Sequence, residues 1–263
     1  MILDDIIATK REEVTEKKKH FSADRLYEIA QSMDAPRDFA GSLRAEGLQI
    51  IAEIKKASPS AGVLCEDFDP KRFARAYAVN GAAAISVLTD ARYFQGEDRH
   101  VADVRGTCSL PVLRKEFTIE DYQVYEARVL AADAVLLLTR VLSDDDLSYL
   151  LWLTAELGMA ALVETHTGQE VERALSAGAD VIGINNRDLA TFETDICRTM
   201  DLRPLIPEGR VVVTESGIRC RDDLERLADC GVHAALIGGC LMSAPDAGAK
   251  LREFVGVRAR PTP

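Results

Sequence analysis

The sequence predicts an α/β chain folded as a single (β/α)8 barrel preceded by an N-terminal helical extension. Three observations carry that prediction. Eight short apolar runs recur along the chain, amphipathic helical stretches lie between them, and no Gly-x-Gly-x-x-Gly turn follows the first run.

The runs are Ile50–Ile54, Ala84–Leu88, Pro111–Leu113, Ala134–Leu138, Ala160–Val163, Val181–Ile184, Val211–Val213 and Ala235–Ile237. Their centres lie roughly 22 to 34 residues apart, about the length of one βα unit. Their near-continuous apolar character means that both faces are covered, as in a parallel sheet. Pro70–Val79, Asp144–Leu157, Gln169–Ala177 and Arg221–Cys230 carry helical spacing, and Gly81, Gly158, Gly178 and Gly231 supply stops. Eight strand–helix units favour closure into a TIM barrel. An open doubly wound sheet would be expected to carry the missing glycine turn.

Residues 1–46 precede the first strand and form the extension, 47–256 the barrel and 257–263 a tail that frays after Val255. Leu3, Ile6, Ile7 and Val14 suggest an amphipathic first helix, and Lys17, Lys18 and Lys19 read as its solvated face. Trp152 falls in a helix and reads as a packing residue. One barrel and its extension use up the 263 residues, so no fused second enzyme is expected.

Bulk properties narrow the function. The formal charge of −11 argues against a nucleic-acid partner. The N-terminus lacks a signal-like apolar core, and no run approaches a membrane span, so a soluble, cytoplasmic protein without a membrane partner is expected. The six cysteines show neither C-x-x-C nor zinc spacing, and the equal intervals of Cys220, Cys230 and Cys240 match no ligand set. No metal and no cofactor are expected. An acidic chain that handles an anion must gather cations locally, which directs attention to inward-pointing lysines and arginines.

In a barrel the chemistry sits where strands end. Here the ends are polar: Glu53-Ile54-Lys55, Arg114-Lys115-Glu116, Glu164, Asn185-Asn186-Arg187 and Glu215-Ser216-Gly217. Strand alternation puts Glu53 and Lys55 on one side. A salt bridge at one strand end would be unremarkable, but five such ends point to a site. Ser216-Gly217 and Gly238-Gly239 follow the last two runs, where loops commonly hold a phosphate on backbone N–H groups. Lys115 with Glu164 suggests acid–base work, with burial lowering and the carboxylate raising the lysine pKa. Spacing leaves a Schiff-base role for Lys115 open. His166 reads as a loop or supporting residue.

These stretches resemble the indole-3-glycerol-phosphate synthases. The likeness is carried by Ile51 to Gly62, Ile85 to Asp90 with Tyr93 to Gly96, and Pro111 to Phe117. It continues through Leu162 to Glu164, Ile182 to Leu189, Thr214 to Ile218 and Leu236 to Met242. The resemblance implies ring closure, decarboxylation and dehydration of 1-(2-carboxyphenylamino)-1-deoxyribulose 5-phosphate in tryptophan biosynthesis. It implies Lys115 as general acid, Glu164 as base or proton shuttle, Lys55 on the substrate carboxylate or in proton transfer, and Glu53 holding the lysines and sharing the acid–base duty, all four being catalytic. Asn185 and Arg187 would orient the substrate, Phe94 would pack on its ring, and Glu215 would order the pocket. Ser58, Ser216, Gly217, Gly238 and Gly239 would cradle the phosphate. The 56–69 loop would close over the substrate. Other tryptophan-pathway enzymes are implied as candidate partners.

Glu97, Glu116 and Gly239 depart from the residues the family commonly has there. The competing readings are another phosphosugar barrel, either an isomerase with a Cys/Asp pair or an aldolase, and an anion-binding barrel without turnover. No strand end offers a Cys/Asp pair.

Overall fold

The computed structural model describes residues 2–188 and 191–259; Leu189, which ends the stretch from Ile182, and residues 260–263 of the tail lie outside the described residues. Eight parallel strands close into a barrel: β1 (Gln49–Ile54), β2 (Ala84–Leu88), β3 (Val112–Lys115), β4 (Ala134–Leu138), β5 (Ala160–Thr165), β6 (Val181–Asn185), β7 (Val211–Glu215) and β8 (Ala234–Ile237). Each pairs with its sequence neighbours, and β1 closes the ring against β8 with Gln49 opposite Ala234 and Ile50 opposite Ala235.

The observed strands run up to two residues beyond the apolar runs, and β3, β5, β6 and β7 continue into the polar residues that end them. Backbone pairing does not depend on side-chain polarity, so the ladder outlasts the hydrophobic signal. Helices Pro70–Val79, Asp144–Glu156, Gly168–Ser176 and Arg221–Asp229 match the helical stretches to within one residue at either end. Asp69, Ser143 and Thr167 cap three of them by accepting from the backbone N–H of Lys71, Asp146 and Glu170.

Period-two alternation divides the core into two layers. Ile50, Ala52 and Ile54 of β1 pack outward against the helices, whereas Ile51 faces the barrel interior with Leu113, Leu136, Leu162, Val213 and Leu236. Phe39 and Leu43, from the short helix Phe39–Ser42 and its end, join the interior layer and are fully buried. The same parity, carried two or four residues further along each strand, turns Glu53, Lys115, Glu164, Asn185 and Glu215 inward.

Ahead of the barrel run helices Ile2–His20 and Ala23–Ser32. Leu3, Ile6 and Val14 are buried as the first helix's spacing predicts, but Ile7 is only half-buried and Lys10 is buried among them. The lysine run is not a uniformly solvated face either. Lys17 pairs with Asp98 at 2.5 Å and Glu126 at 2.8 Å, while Lys19 stays exposed beside Glu16.

Trp152 is not a packing residue. The buried face of its helix is Leu147, Leu150, Leu153 and Thr154, which leaves the indole 56% exposed and stacked on Tyr149. Val257, placed in the tail by sequence, is buried, and its carbonyl accepts from Leu48 N–H at 2.9 Å. Among the described residues no helix is long and apolar enough to cross a membrane.

Candidate active site

A cavity of about 570 Å³ opens at the C-terminal ends of the strands, within the range of small-ligand sites. All thirteen residues singled out from sequence as site residues line it: Glu53, Lys55 and Ser58; Phe94; Lys115; Glu164; Asn185 and Arg187; Glu215, Ser216 and Gly217; Gly238 and Gly239. Parity splits the remaining polar strand ends. Arg114 turns outward to Asp98 and Glu126, and Asn186 donates to Thr214 Oγ1 and the Ser216 carbonyl, holding the loop after β7.

The floor of the cavity is a cluster of three carboxylates and two ammonium groups. Lys115 Nζ lies 2.8 Å from Glu215 Oε2 and 3.4 Å from Glu164 Oε2, and Lys55 is paired with Glu53. The sequence pairs Lys115 with Glu164; the closer partner is Glu215, across the barrel on β7. Glycines make room for the acids. A Cβ on Gly183 would come 2.4 Å from Glu215 Oε1, and one on Gly238 would come 2.1 Å from Glu53 Oε2.

Burial works against the Lys115 ammonium, but Glu215, Glu164 and Glu53 outweigh it and hold its pKa above the ordinary lysine value. Burial likewise works against the Glu164 carboxylate. Lys115, His166 and the Asn185 amide, which donates to Glu164 Oε1 at 3.1 Å, overcome that penalty and hold its pKa below the usual range. Glu215 is pushed up to about 7 by burial, against the pull of Lys115 and with repulsion from Glu164 and Glu53. With one excess negative charge in the cluster, Glu215 is the acid that most readily takes a proton. An acid with Lys115's protonation and a base with Glu164's ionisation thus lie side by side.

Toward the last two strands the lining becomes backbone. Ser216 and Gly217 take consecutive left-handed conformations, φ 67° and 81°, and Gly239 opens a short helix, Gly239–Met242. A Cβ on Gly239 would meet nothing within 4 Å. On the opposite wall Phe94 lies 6.1 Å, centroid to centroid, from Phe117. The segment after β1 is an ordered hairpin, with Ala57 opposite Val63 and Ser58 opposite Gly62, and its Pro59, Ser60 and Ala61 also line the cavity.

Sequence reading overlooked Phe117, Arg219 and the apolar Ile2, Leu3 and Ile6, which line the cavity too. Phe117 and Arg219 each follow a strand-end motif closely, a usable signal. Nothing local shows that the first helix reaches the site; that it roofs the site is an expectation from the family resemblance alone.

The description "Indole-3-glycerol phosphate synthase" belongs to the family model that matches residues 3–254. Curated relatives of that name include one from Acidithiobacillus ferrooxidans, 48% identical over 257 residues, covering 96% of this chain and 98% of that protein. One from Roseiflexus castenholzii is 47% identical, covering 97% and 98%, and one from Acetivibrio thermocellus is 44% identical, covering 98% and 100%. Among solved structures, a thiamine phosphate pyrophosphorylase from Pyrococcus furiosus aligns with TM-score 0.59 at 15% identity, covering 79% of this chain and 93% of that one. That likeness shows the barrel alone, whereas the family match and the near-full-length relatives place this chain in the indole-3-glycerol-phosphate synthase family.

Proposed function

We propose that the cavity closes the indole ring of 1-(2-carboxyphenylamino)-1-deoxyribulose 5-phosphate, acting as a carboxy-lyase of tryptophan biosynthesis, with Lys115 as the acid and Glu164 as the base. The observation that carries the assignment is the 3.4 Å contact between the half-buried Lys115 ammonium and the buried Glu164 carboxylate, in surroundings that favour the charged form of both. Lys115 protonates the substrate's ketone oxygen as the ring carbon that bears the carboxylate attacks the carbonyl carbon. Loss of CO₂ returns the electrons of that bond to the ring and restores aromaticity. The new hydroxyl then leaves as water on a proton from the Lys55 ammonium, free once CO₂ has gone, while Glu164 takes a proton from the adjacent methylene. Ring closure itself creates the electron acceptor for decarboxylation, so the chemistry calls for no electron-sink cofactor.

Lys55 receives the substrate carboxylate and Glu53 holds that ammonium in place. Asn185 and Arg187 orient the substrate, Phe94 packs on its aromatic ring, and Glu215 tunes Lys115. Ser58, Ser216, Gly217, Gly238 and Gly239 receive the phosphate. Lys55, Lys115 and Arg187 are the local positive charge that an acidic chain needs for a substrate carrying both a phosphate and a carboxylate. A Schiff-base role is disfavoured, because it requires a neutral amine and the surrounding carboxylates favour the ammonium. The reading treats 47–256 as the catalytic barrel, 1–46 as its extension and 257–263 as a tail, in a cytoplasmic protein. Other tryptophan-pathway enzymes remain candidate partners on the resemblance alone.

The test is indole formation, followed by fluorescence, from the carboxyphenylamino-deoxyribulose phosphate in excess EDTA, with Lys115→Ala alongside. Turnover in the wild type and a loss of at least ~10²-fold in the variant are expected. Binding without turnover in the wild type would overturn the reading.

A further inference from the structure

At the N-terminal ends of β3 and β4, the end of the barrel opposite the cavity, lies a second pocket of about 290 Å³. Ser32, Met33, Asp34, Arg105, Arg128 and Ala131 line it. Three arginines, Arg37, Arg105 and Arg128, gather there in the field of one buried carboxylate, Asp133, which is 1% exposed. Arg105 Nε lies 3.3 Å from Asp133 Oδ1, and the backbone N–H groups of Arg37 and Val112 donate to the same carboxylate at 2.7 and 2.8 Å.

Capping of carbonyls accounts for part of this arrangement. Arg37 donates Nη1 to the Leu110 carbonyl and Nη2 to that of Arg105, and Arg128 Nη2 donates to the carbonyls of Met33 and Asp34. Both terminal nitrogens of Arg105, with Nε and Nη1 of Arg128, donate to no acceptor among the described residues. Arg128 is 3% exposed, which leaves bulk water little access to its spare donors. Three guanidinium groups stand against two carboxylates, Asp133 and the exposed Asp34 on the rim. Burial, then the charge of Arg105, press the Arg37 pKa below the ordinary arginine value. Burial and Arg105 do the same to Arg128, with Asp133 opposing. The local excess is positive on a chain of net charge −11.

We propose that this pocket is a binding site for a small oxyanion, a phosphate group, held between the guanidinium forks of Arg105 and Arg128. The forked N–H groups of arginine match the oxygens of a phosphate, and their charge strengthens each hydrogen bond. An anion there satisfies the spare donors and relieves the repulsion between the two arginines in one step. The volume is at the small end of ligand pockets, which suits inorganic phosphate or a short phosphomonoester rather than a nucleotide. Met33 and Asp34 follow helix Ala23–Ser32 of the extension, whereas Arg105 and Arg128 belong to the last turns of barrel helices. Occupancy therefore ties residues 32–37 to residues 128–133 and stabilises the folded chain as the site fills. The site is independent of the reaction proposed above.

The experiment titrates wild type and Arg105→Gln with inorganic phosphate at constant ionic strength, against chloride, and follows hydrogen exchange of the backbone amides of residues 32–37 and 128–133. Phosphate in the active-site cavity acts on both proteins alike and at the other end of the barrel, so local exchange separates the two sites. Wild type is expected to slow at least about threefold in both segments, half-saturating near about 1 mM, the scale of a few charge-assisted hydrogen bonds. Arg105→Gln is expected to lose that slowing. If it fails to fold, Arg105→Lys, which keeps a cation beside Asp133 without the fork, takes its place, with at least about threefold weaker binding expected. The same titration with glycerol 3-phosphate identifies the source: tighter binding assigns the site to phosphomonoesters, and equal or weaker binding to free phosphate. Unchanged exchange in wild type up to about 20 mM phosphate, or equal slowing in wild type and the folded variant, overturns the inference.

Discussion

Replacing Lys115 with methionine removes one cation from five ionisable groups on the cavity floor: Lys55, Lys115, Glu53, Glu164 and Glu215. The partners left behind are buried, with Glu164 5% and Glu215 2% exposed at the side chain. At pH 8, above the value of about 7 to which Glu215 is pushed, the cluster's net charge moves from −1 to −2, and the cheapest response is for a further carboxyl to take up a proton. A carboxyl with an ordinary pKa of about 4.5 is protonated at pH 8 at a cost of about 5 kcal/mol, but at pH 5 for less than about 1 kcal/mol. The sign follows from linkage. A carboxyl whose folded pKa is raised keeps its full contribution below about pH 4.5 and loses it as pH climbs toward the folded value. The variant should therefore lose about 3–4 kcal/mol more stability at pH 8 than at pH 5, relative to wild type at each pH. For a chain of this size that is about 10 °C in Tm. Calorimetric or fluorescence melting of both proteins at pH 5 and pH 8 measures it. An equal Tm deficit at the two pH values would show that Lys115 does not neutralise the buried acids, and the electrostatic account of the site would fail with it.

Two further predictions follow from the same geometry. Gly238→Ala should cut kcat at least about tenfold, because its Cβ would sit 2.1 Å from Glu53 Oε2 and drive that carboxylate off Lys55, whereas Gly239→Ala, with no protein atom within 4 Å of the new Cβ, leaves Glu53 in place and should change kcat by less than about threefold; steady-state kinetics on both variants checks the contrast, and equal effects on kcat would refute it. His166 stands between Glu164 and Glu170, 3.5 Å from each, and contributes to holding Glu164's pKa down. His166→Leu should therefore move the acid limb of kcat/KM to higher pH, since Glu164 must be ionised to act as base, and an unmoved limb would show that the imidazole has no such hold.

The barrel was legible because its signals are local and repeated. Each strand announces itself by a short apolar run, and each helix by its spacing and a glycine, since Gly81, Gly158, Gly178 and Gly231 all adopt positive φ. Most of the site was legible for the same reason. Alternation along a strand puts Glu53 with Lys55 and turns Lys115, Glu164 and Glu215 inward, once the apolar residues before them define which side is inside. Trp152 shows the limit of that reading, because which face of a helix is covered depends on neighbours that a single helix does not name.

Partner choice depended on tertiary structure. Lys115 and Glu215 are 100 residues apart, and their 2.8 Å contact exists because the ring closes and a long side chain can cross it. Lys10 interrupts the apolar series Leu3, Ile6 and Val14 at a position where a neutral residue is expected, a sign of burial that the sequence does carry. Its partners Asp90 and Glu116 come from two loops brought together only by adjacent strands. Periodicity and turn chemistry, being local, determined the elements and which side chains face inward. Charge pairing inside a closed barrel is long-range in sequence and short-range in space, so only the folded chain decided which acid meets which base.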